Sequence, residues 1–125
     1  MSKTAFIPGQ LVDIGHTKLH LYRRCTVNHN NTKQKIPTLI IEAGSGWSTP
    51  YYTWLQDSLA QYAVVYSYDR AGLGWSHPSR KPRDAHHIAE ELALLLAHIK
   101  EPGPYWFVGH SLAAMTLRVF AKCHP

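Results

Sequence analysis

The sequence predicts an α/β fold whose mixed sheet has an N-terminal antiparallel hairpin and parallel strands flanked by helices. Three observations predict this fold. Two strand patterns flank a turn near the N-terminus, and apolar runs alternate with helical patterns from residue 38 onward. The last apolar run leads directly into Gly-His-Ser-Leu-Ala at 109–113. Such alternation is typical of right-handed parallel units whose strands are covered on both faces.

The first predicted elements are the hairpin and a buried strand. Residues 11–14 and 18–24 flank a turn at 15–17, and apolar and polar residues alternate along the second strand. This period of two is typical of a strand with one wetter face. Residues 27–35 are polar and rich in asparagine, which indicates a loop, whereas the apolar run at 38–41 indicates a buried strand.

The next elements are a helix and another strand. Thr49 and Pro50 predict a helix start, with threonine as the N-cap and proline at the first helical position. Apolar residues then follow at helical spacing and predict one buried helical face: Tyr52, Leu55, Leu59 and Tyr62. Residues 63–68 form a further apolar run, which predicts a second buried strand.

The C-terminal third is predicted to contain a long helix, a strand and a last helix. Asp84 can cap a helix that we expect to run to residue 100, where the Glu-Pro-Gly-Pro segment at 101–104 stops it. Residues 105–108 predict the strand that enters the Gly-His-Ser-Leu-Ala segment, and residues 112–122 predict the helix that leaves it.

Composition excludes several classes of function. The 125 residues suffice for one domain, and 45% hydrophobic with 17% charged residues indicates a globular chain. The net charge of +5 is scattered, so we expect no nucleic-acid partner. Two isolated cysteines show no metal or redox spacing, which fits a reducing compartment with free thiols. No cluster of His, Cys, Asp or Glu has metal-ligand spacing, and no metal or cofactor is expected. No apolar run is long enough for a signal peptide or a membrane span, so we expect a cytoplasmic protein that does not bind membranes.

The segment at 109–113 matches a nucleophile elbow, with Ala113 where the pattern G-x-S-x-G has its last glycine. A serine hydroxyl is a weak nucleophile until a sharp strand-to-helix turn exposes it beside a base. Small residues are needed at Gly109 and Ala113, because this turn brings strand and helix close together. Ser111 also stands where an ordinary helix N-cap would stand, since serine is favoured there.

Two more stretches complete a resemblance to the α/β-hydrolases. Ile-Glu-Ala-Gly-Ser-Gly-Trp-Ser at 41–48 follows the third strand, where this family has its oxyanion loop. Tyr-Asp-Arg-Ala-Gly-Leu-Gly-Trp-Ser at 68–76 follows the fourth strand and resembles the family's D-x-x-G-x-G-x-S turn. The resemblance runs from about residue 11 to the end of the chain. It implies that residues 1–125 are the N-terminal part of a single hydrolase domain, ending after the helix that follows the elbow.

The resemblance also implies roles for individual residues. Ser111 is expected to be the nucleophile, and the backbone N–H groups of Leu112 and Ser45 are expected to bind the oxyanion. Gly44 and Gly46 would let their loop approach the substrate, and Ala43 stands where many members have histidine. The remaining motif positions are expected to be structural: Asp69, Gly72, Gly74, Gly109 and Ala113.

The residues after Ser111 lack the partners that such a serine needs. In this family the triad follows the order serine, acid, histidine, yet no Asp or Glu follows Ser111 here, and His124 is the one downstream histidine. We therefore expect little activity from these 125 residues alone. The sequence leaves two functions open: a serine hydrolase that acts on an ester, amide or related acyl bond of a small molecule, or a non-catalytic truncated product or binding module. The sheet edge beside residues 105–108 is also expected to favour self-association.

Overall fold

The computed structural model describes residues 7–28 and 35–124, so most of the asparagine-rich stretch lies outside the described residues. The strands are β1 (Gln10–Asp13), β2 (Lys18–Arg24), β3 (Thr38–Glu42), β4 (Val64–Tyr68) and β5 (Tyr105–Gly109). The helices are α1 (Thr53–Leu59), which a 3-10 turn at Thr49–Tyr52 precedes, α2 (Ala85–Leu96) and α3 (Ala113–Cys123).

The five strands form one mixed sheet in the order β1-β2-β4-β3-β5. β2 pairs antiparallel with β1 and with β4, whereas β3 pairs parallel with both β4 and β5. The predicted hairpin and three parallel strands are therefore confirmed. Because β3, β4 and β5 run in the same direction, the loops that follow them all leave from the carboxyl ends of the strands, where α/β proteins place their ligands.

Apolar side chains cover both faces of the sheet, because successive strand residues point to opposite faces. On one face, Ile40 packs in a cluster with Leu92 and Leu95 of α2 and Phe120 of α3. On the other face, the neighbouring Ile41 belongs to a second cluster, which the segment around α1 covers. The prediction of helices on both faces is thus confirmed. Within the described ranges, no helix has the length and apolar character that crossing a membrane requires.

Two helix boundaries differ from the predicted ones. α2 begins after Asp84, whose side chain accepts a hydrogen bond from the His87 N–H at 2.9 Å, as predicted. The helix ends at Leu96 rather than at residue 100, because the chain tightens there into turns such as the bond from His98 N to Leu95 O at 3.0 Å. The proline segment at 101–104 is therefore not what ends the helix.

The start of the α1 segment also differs. Ser48, not Thr49, is the N-cap of the 3-10 turn, and it makes no side-chain capping bond. Thr49 is instead the first residue of this turn, and its hydroxyl donates to Asp69 Oδ1 at 2.9 Å. The predicted apolar face fails at Tyr62, which lies beyond α1 and is 75% exposed, whereas Gln56 is fully buried.

Candidate active site

Ser111 has an unusual backbone conformation at the turn between β5 and α3. Its φ is +56°, and among the described residues it is the one non-glycine residue with a positive φ. The left-handed region costs an L-residue about 1–2 kcal/mol, so it persists only where the surroundings enforce it. Ser111 is exposed at the carboxyl end of the sheet, from which the loops after β3 and β4 also leave.

The turn is enforced by close contact between strand and helix. A Cβ placed on Gly109 would lie 2.8 Å from the Ala113 Cβ and 2.9 Å from Leu117 Cδ1. It would also lie 3.3 Å from the carbonyl oxygen of Glu42 on the adjacent strand. Ala113 is completely buried, so neither position has space for a larger side chain.

Two backbone N–H groups near Ser111 have no acceptor among the described residues. One is the amide of Leu112, which precedes the first residue of α3, and the other is the amide of Ser45 in the loop after β3. Glu42 and Gly109 are paired in register, so these two loops start side by side. Helix N-terminal amides attract negative charge through the helix dipole. Gly46, with φ of +72°, borders open space.

A buried ionic cluster lies directly beneath the loop that carries Ser45. Glu42 is fully buried at the end of β3, and its carboxylate accepts hydrogen bonds from Tyr68 Oη and, at 3.0 Å, from Arg70 Nη1. The guanidinium also donates to the carbonyl of Ala43 and, at 2.6 Å, to that of Gly44. Burial raises the pKa of Glu42, although the bonds from Tyr68 and the charge of Arg70 oppose it. A charged residue ending an apolar strand was the sequence signal for this cluster, and sequence reasoning missed it.

Asp69 binds together the turn after β4 and the loop after β3. Its Oδ1 accepts hydrogen bonds from the Thr49 N–H at 2.6 Å and the Thr49 hydroxyl at 2.9 Å. Its Oδ2 accepts from the Trp75 N–H at 3.1 Å. Gly74 packs against this carboxylate with no space for a Cβ, and both Gly72 and Gly74 have positive φ. The carboxylate therefore joins the two loops through hydrogen bonds.

Asp69 also faces a buried histidine that the sequence did not single out. His20 Nδ1 lies 3.1 Å from Asp69 Oδ2 without hydrogen-bond alignment, and both side chains are fully buried. The His20 Nε2 bonds the carbonyl of Pro8. Burial lowers the pKa of His20, but the contacts with Asp69 and Pro8 outweigh it and leave the pKa raised. Burial likewise opposes ionisation of Asp69, yet His20 and the donors from Thr49 and Trp75 lower its pKa.

His110, the residue before Ser111, contacts the loop after β3. Its Nε2 lies 2.6 Å from Tyr52 Oη, and the same hydroxyl accepts a hydrogen bond from the Gly44 N–H at 3.1 Å. The His110 ring also packs edge-on against Trp47, with ring centroids 5.4 Å apart. The sequence indicated no function for His110, whereas the structure shows that it joins the elbow to this loop.

Two histidines at the start of α2 and the one that follows α3 lie away from Ser111 or pair with other groups. His87 Nδ1 lies 2.8 Å from Asp84 Oδ1, and His86 Nε2 lies 3.3 Å from Glu90. His124 follows α3, an 11-residue helix about 16 Å long, and stands at the end remote from Ser111. Within residues 7–28 and 35–124, no group of three or more His, Cys, Asp or Glu side chains could hold a metal ion.

Comparison with known proteins assigns the family. The family model of the Thioesterase domain matches residues 37–116, which include the loop after β3, the turn after β4 and the elbow. The chain belongs to the α/β-hydrolase superfamily. An α/β-hydrolase superfamily protein from Gibberella zeae is 40% identical over 95 residues, which is 75% of this chain and 30% of that protein.

Two further similar proteins also match most of this chain and a smaller share of their own length. The protein YqjL of Bacillus subtilis is 34% identical over 67% of this chain and 33% of its own length. The enol-lactonase of Burkholderia xenovorans superposes with a TM-score of 0.77 at 18% identity, over 92% of this chain and 42% of that one. The chain therefore spans about a third of the length of these two curated relatives and has part of the hydrolase fold.

Proposed function

We propose that the chain supplies the nucleophile half of a serine hydrolase that acts on an acyl bond. In this proposal the Ser111 hydroxyl attacks the acyl carbonyl and the N–H groups of Leu112 and Ser45 stabilise the oxyanion. Two well-placed donors of this kind are worth about 3–4 kcal/mol each in the transition state. Collapse of the tetrahedral intermediate breaks the acyl bond and releases the alcohol, amine or thiol, which takes up the proton lost by the serine hydroxyl. Water then hydrolyses the acyl-serine, which releases the acid and restores Ser111.

The observation that carries this proposal is the left-handed conformation of Ser111. An ordinary N-cap residue has an extended backbone, and its side chain bonds an amide of the first turn. The N-cap of α3 is instead Leu112, which has helical dihedrals, and Ser111 precedes it with φ of +56°. Backbone strain of this kind clusters at functional sites. In a nucleophile elbow, the strained turn has a function because it exposes the serine hydroxyl.

The substrate class follows from the site and the family together. An exposed serine beside two free amide donors fits a planar carbonyl that becomes tetrahedral, as in esters, amides and thioesters. The matched family is named for thioesters, and one structural neighbour is an enol-lactonase. We therefore propose a small-molecule ester, thioester or related acyl compound as the substrate.

The general base and its acid are proposed to come from residues other than those described. Deprotonation of Ser111 requires a neutral imidazole within hydrogen-bond distance, usually oriented by a carboxylate. Asp69 and Glu42 are both held in structural contacts, and His86 and His87 pair with carboxylates on α2 or at its start. A complete enzyme would therefore need partner residues on the elements that the curated relatives have beyond the matched part.

The test is reconstitution of a split enzyme. The 125-residue chain is co-expressed with the C-terminal remainder of the Gibberella zeae relative, and the purified complex is treated with a fluorophosphonate probe and an acyl-thioester substrate. Labelling and turnover are expected in the wild type and are expected to disappear with Ser111→Ala. Ser58→Ala is the matched control, because that hydroxyl is exposed on α1 and bonds only the Trp54 carbonyl of the same helix.

A non-catalytic binding module is the second candidate, because the Ser111 hydroxyl makes no hydrogen bond to a base among the described residues. A folded complex that binds an acyl compound but shows no labelling of Ser111 would establish that candidate and overturn the proposed hydrolase. Labelling that survives Ser111→Ala would show that another residue is the nucleophile.

A further inference from the structure

Arg70 reaches from the turn after β4 into the loop after β3. The two strands are neighbours, with Ile41 opposite Ser67, so a side chain just beyond the end of β4 lies beside the residues that follow β3. Arg70 is buried, with only 6% of its surface exposed. It donates to the Glu42 carboxylate and to two successive backbone carbonyls, those of Ala43 and Gly44.

The bond to the Gly44 carbonyl determines where the next amide points. In a trans peptide unit the C=O and the N–H are coplanar and point in opposite directions, so fixing the Gly44 carbonyl fixes the Ser45 N–H. Arg70 Nη2 donates to this carbonyl at 2.6 Å, and the Trp47 N–H donates to it at 3.2 Å. The Ser45 N–H is therefore directed away from the guanidinium, and it has no acceptor among the described residues.

We infer that Arg70 is a positioning residue for the oxyanion hole, acting through the peptide bond between Gly44 and Ser45. This inference rests on the proposed function. The guanidinium holds the Ser45 N–H in one direction before the substrate binds, so no reorientation is needed when the oxyanion forms. A charged donor on the carbonyl also polarises the peptide unit, which makes its N–H a stronger donor.

The chemistry of the site accounts for arginine at this position. The planar guanidinium donates hydrogen bonds to a carboxylate and two carbonyls at once, because its N–H donors point in different fixed directions. A lysine would keep the charge but offers a single ammonium at the end of a flexible stem. Glu42 anchors the guanidinium from the other side, and the charge of the buried pair is balanced.

A purely structural role for Arg70 predicts no specific change at the Ser45 amide. The first measurement therefore follows that amide directly and does not depend on activity. The 125-residue chain is labelled with ¹⁵N-serine and its amide spectrum is recorded at low protein concentration. We expect the Ser45 amide proton to move upfield in Arg70→Lys, because loss of the charged donor on its peptide unit weakens the polarisation. The matched control is Arg83→Lys, which alters the part-buried ion pair with Glu91 and is expected to leave this resonance in place.

The second measurement uses the reconstituted complex. Arg70→Lys is expected to lower kcat by about ten- to a hundredfold with little change in KM, because an oxyanion donor acts in the transition state. If Arg70→Lys does not fold, Glu42→Gln removes the anchor while preserving shape and is expected to shift the same resonance and lower kcat.

The outcomes are distinguishable. A Ser45 resonance that is unmoved in a folded Arg70→Lys chain, or a loss confined to KM, overturns the inference. Failure of the proposed function gives a different pattern, since the wild-type complex then shows no labelling of Ser111 while the Ser45 resonance still responds to Arg70→Lys.

Discussion

The imidazole of His110 occupies the space that a side chain on Gly44 would need. A Cβ placed on Gly44 would lie 2.6 Å from Cε1 and 3.1 Å from Nε2 of that ring. Tyr52 joins the same two residues, since its hydroxyl contacts the His110 ring and accepts the Gly44 N–H. The residue before Ser111 and the residue before Ser45 are thus in contact, so the elbow and its neighbouring loop hold each other in place.

Gly44→Ala is expected to destabilise the fold by about 1–3 kcal/mol, the usual cost of overpacking a tight contact. The His110 ring must move to admit the methyl group, and the bond to Tyr52 is then lost. The free energy of unfolding from denaturant titration measures this cost. In a His110→Ala background the same substitution is expected to cost much less, because the clashing ring is absent.

The double-mutant cycle therefore isolates the contact. We expect a coupling of about 0.5–3 kcal/mol, which is typical of residues that touch. Additive effects of the two substitutions would show that the ring adjusts freely and that the elbow and the loop are independent.

Gly109→Ala is expected to lower the melting temperature by several degrees. The added methyl group would lie 2.8 Å from the Ala113 Cβ and 2.9 Å from Leu117 Cδ1. The Leu117 side chain can change rotamer, but the Ala113 Cβ is attached to the helix backbone and can retreat only if β5 and α3 separate. Ala114→Ser is the matched control, because Ala114 is exposed on the same helix. Equal melting temperatures for the two variants would mean that the strand and helix are less tightly apposed than the structure indicates.

Local sequence signals predicted the order of the elements and the small residues of the elbow. Gly109 and Ala113 lie four positions apart, and the geometry of a single turn dictates their size. Asp84 was predicted as a cap because capping depends on the next three residues alone. The sheet was predictable for a similar reason, since strand and helix patterns alternate along the chain.

The interactions that the sequence did not predict join distant segments. His20 and Asp69 meet because β2 pairs with β4, and no local pattern specifies that pairing. Arg70 contacts Ala43 and Gly44 for the same reason, through the neighbouring β3. Thr49 is predicted as a cap from its position, yet Ser48 is the N-cap and the Thr49 hydroxyl donates to Asp69 in another loop. Tertiary contacts of this kind override local propensity.

The pair of His20 and Asp69 is expected to make stability depend on pH. The pKa of His20 is raised above its ordinary 6.5, so the contribution is fully present below 6.5 and is lost as the pH rises through the folded-state pKa. The pKa of Asp69 is lowered below its ordinary 3.8, so its contribution is present above 3.8 and is lost as the pH falls through the folded-state pKa.

His20→Gln is expected to flatten the decline of stability above pH 6.5. The measurement is the free energy of unfolding at several pH values between 5 and 9. We expect the uptake of about one proton, by His20, to cause the pH dependence that the substitution removes. His98→Gln serves as the control, because the His98 side chain is exposed after α2 and bonds only the Leu94 carbonyl. If the slope of His20→Gln matches that of the wild type, His20 is not protonated in the folded state.

The edge of the sheet at β5 is expected to drive self-association of the 125-residue chain. Among the described residues, β5 pairs only with β3, so its other side presents unpaired N–H and C=O groups. Trp106 projects from this strand with 69% of its surface exposed, and Met115 on α3 is 61% exposed. Unpaired edges beside large apolar side chains template pairing with another copy.

Light scattering after size-exclusion chromatography is expected to show a mass that rises with protein concentration. Trp106→Lys is expected to reduce this rise, because a charge on an edge strand opposes pairing. Tyr62→Lys is the control, since Tyr62 is 75% exposed at a position outside the strands. A monomer at all concentrations, with a sharp cooperative melting transition, would contradict this prediction and show that the sheet is stable with β5 uncovered.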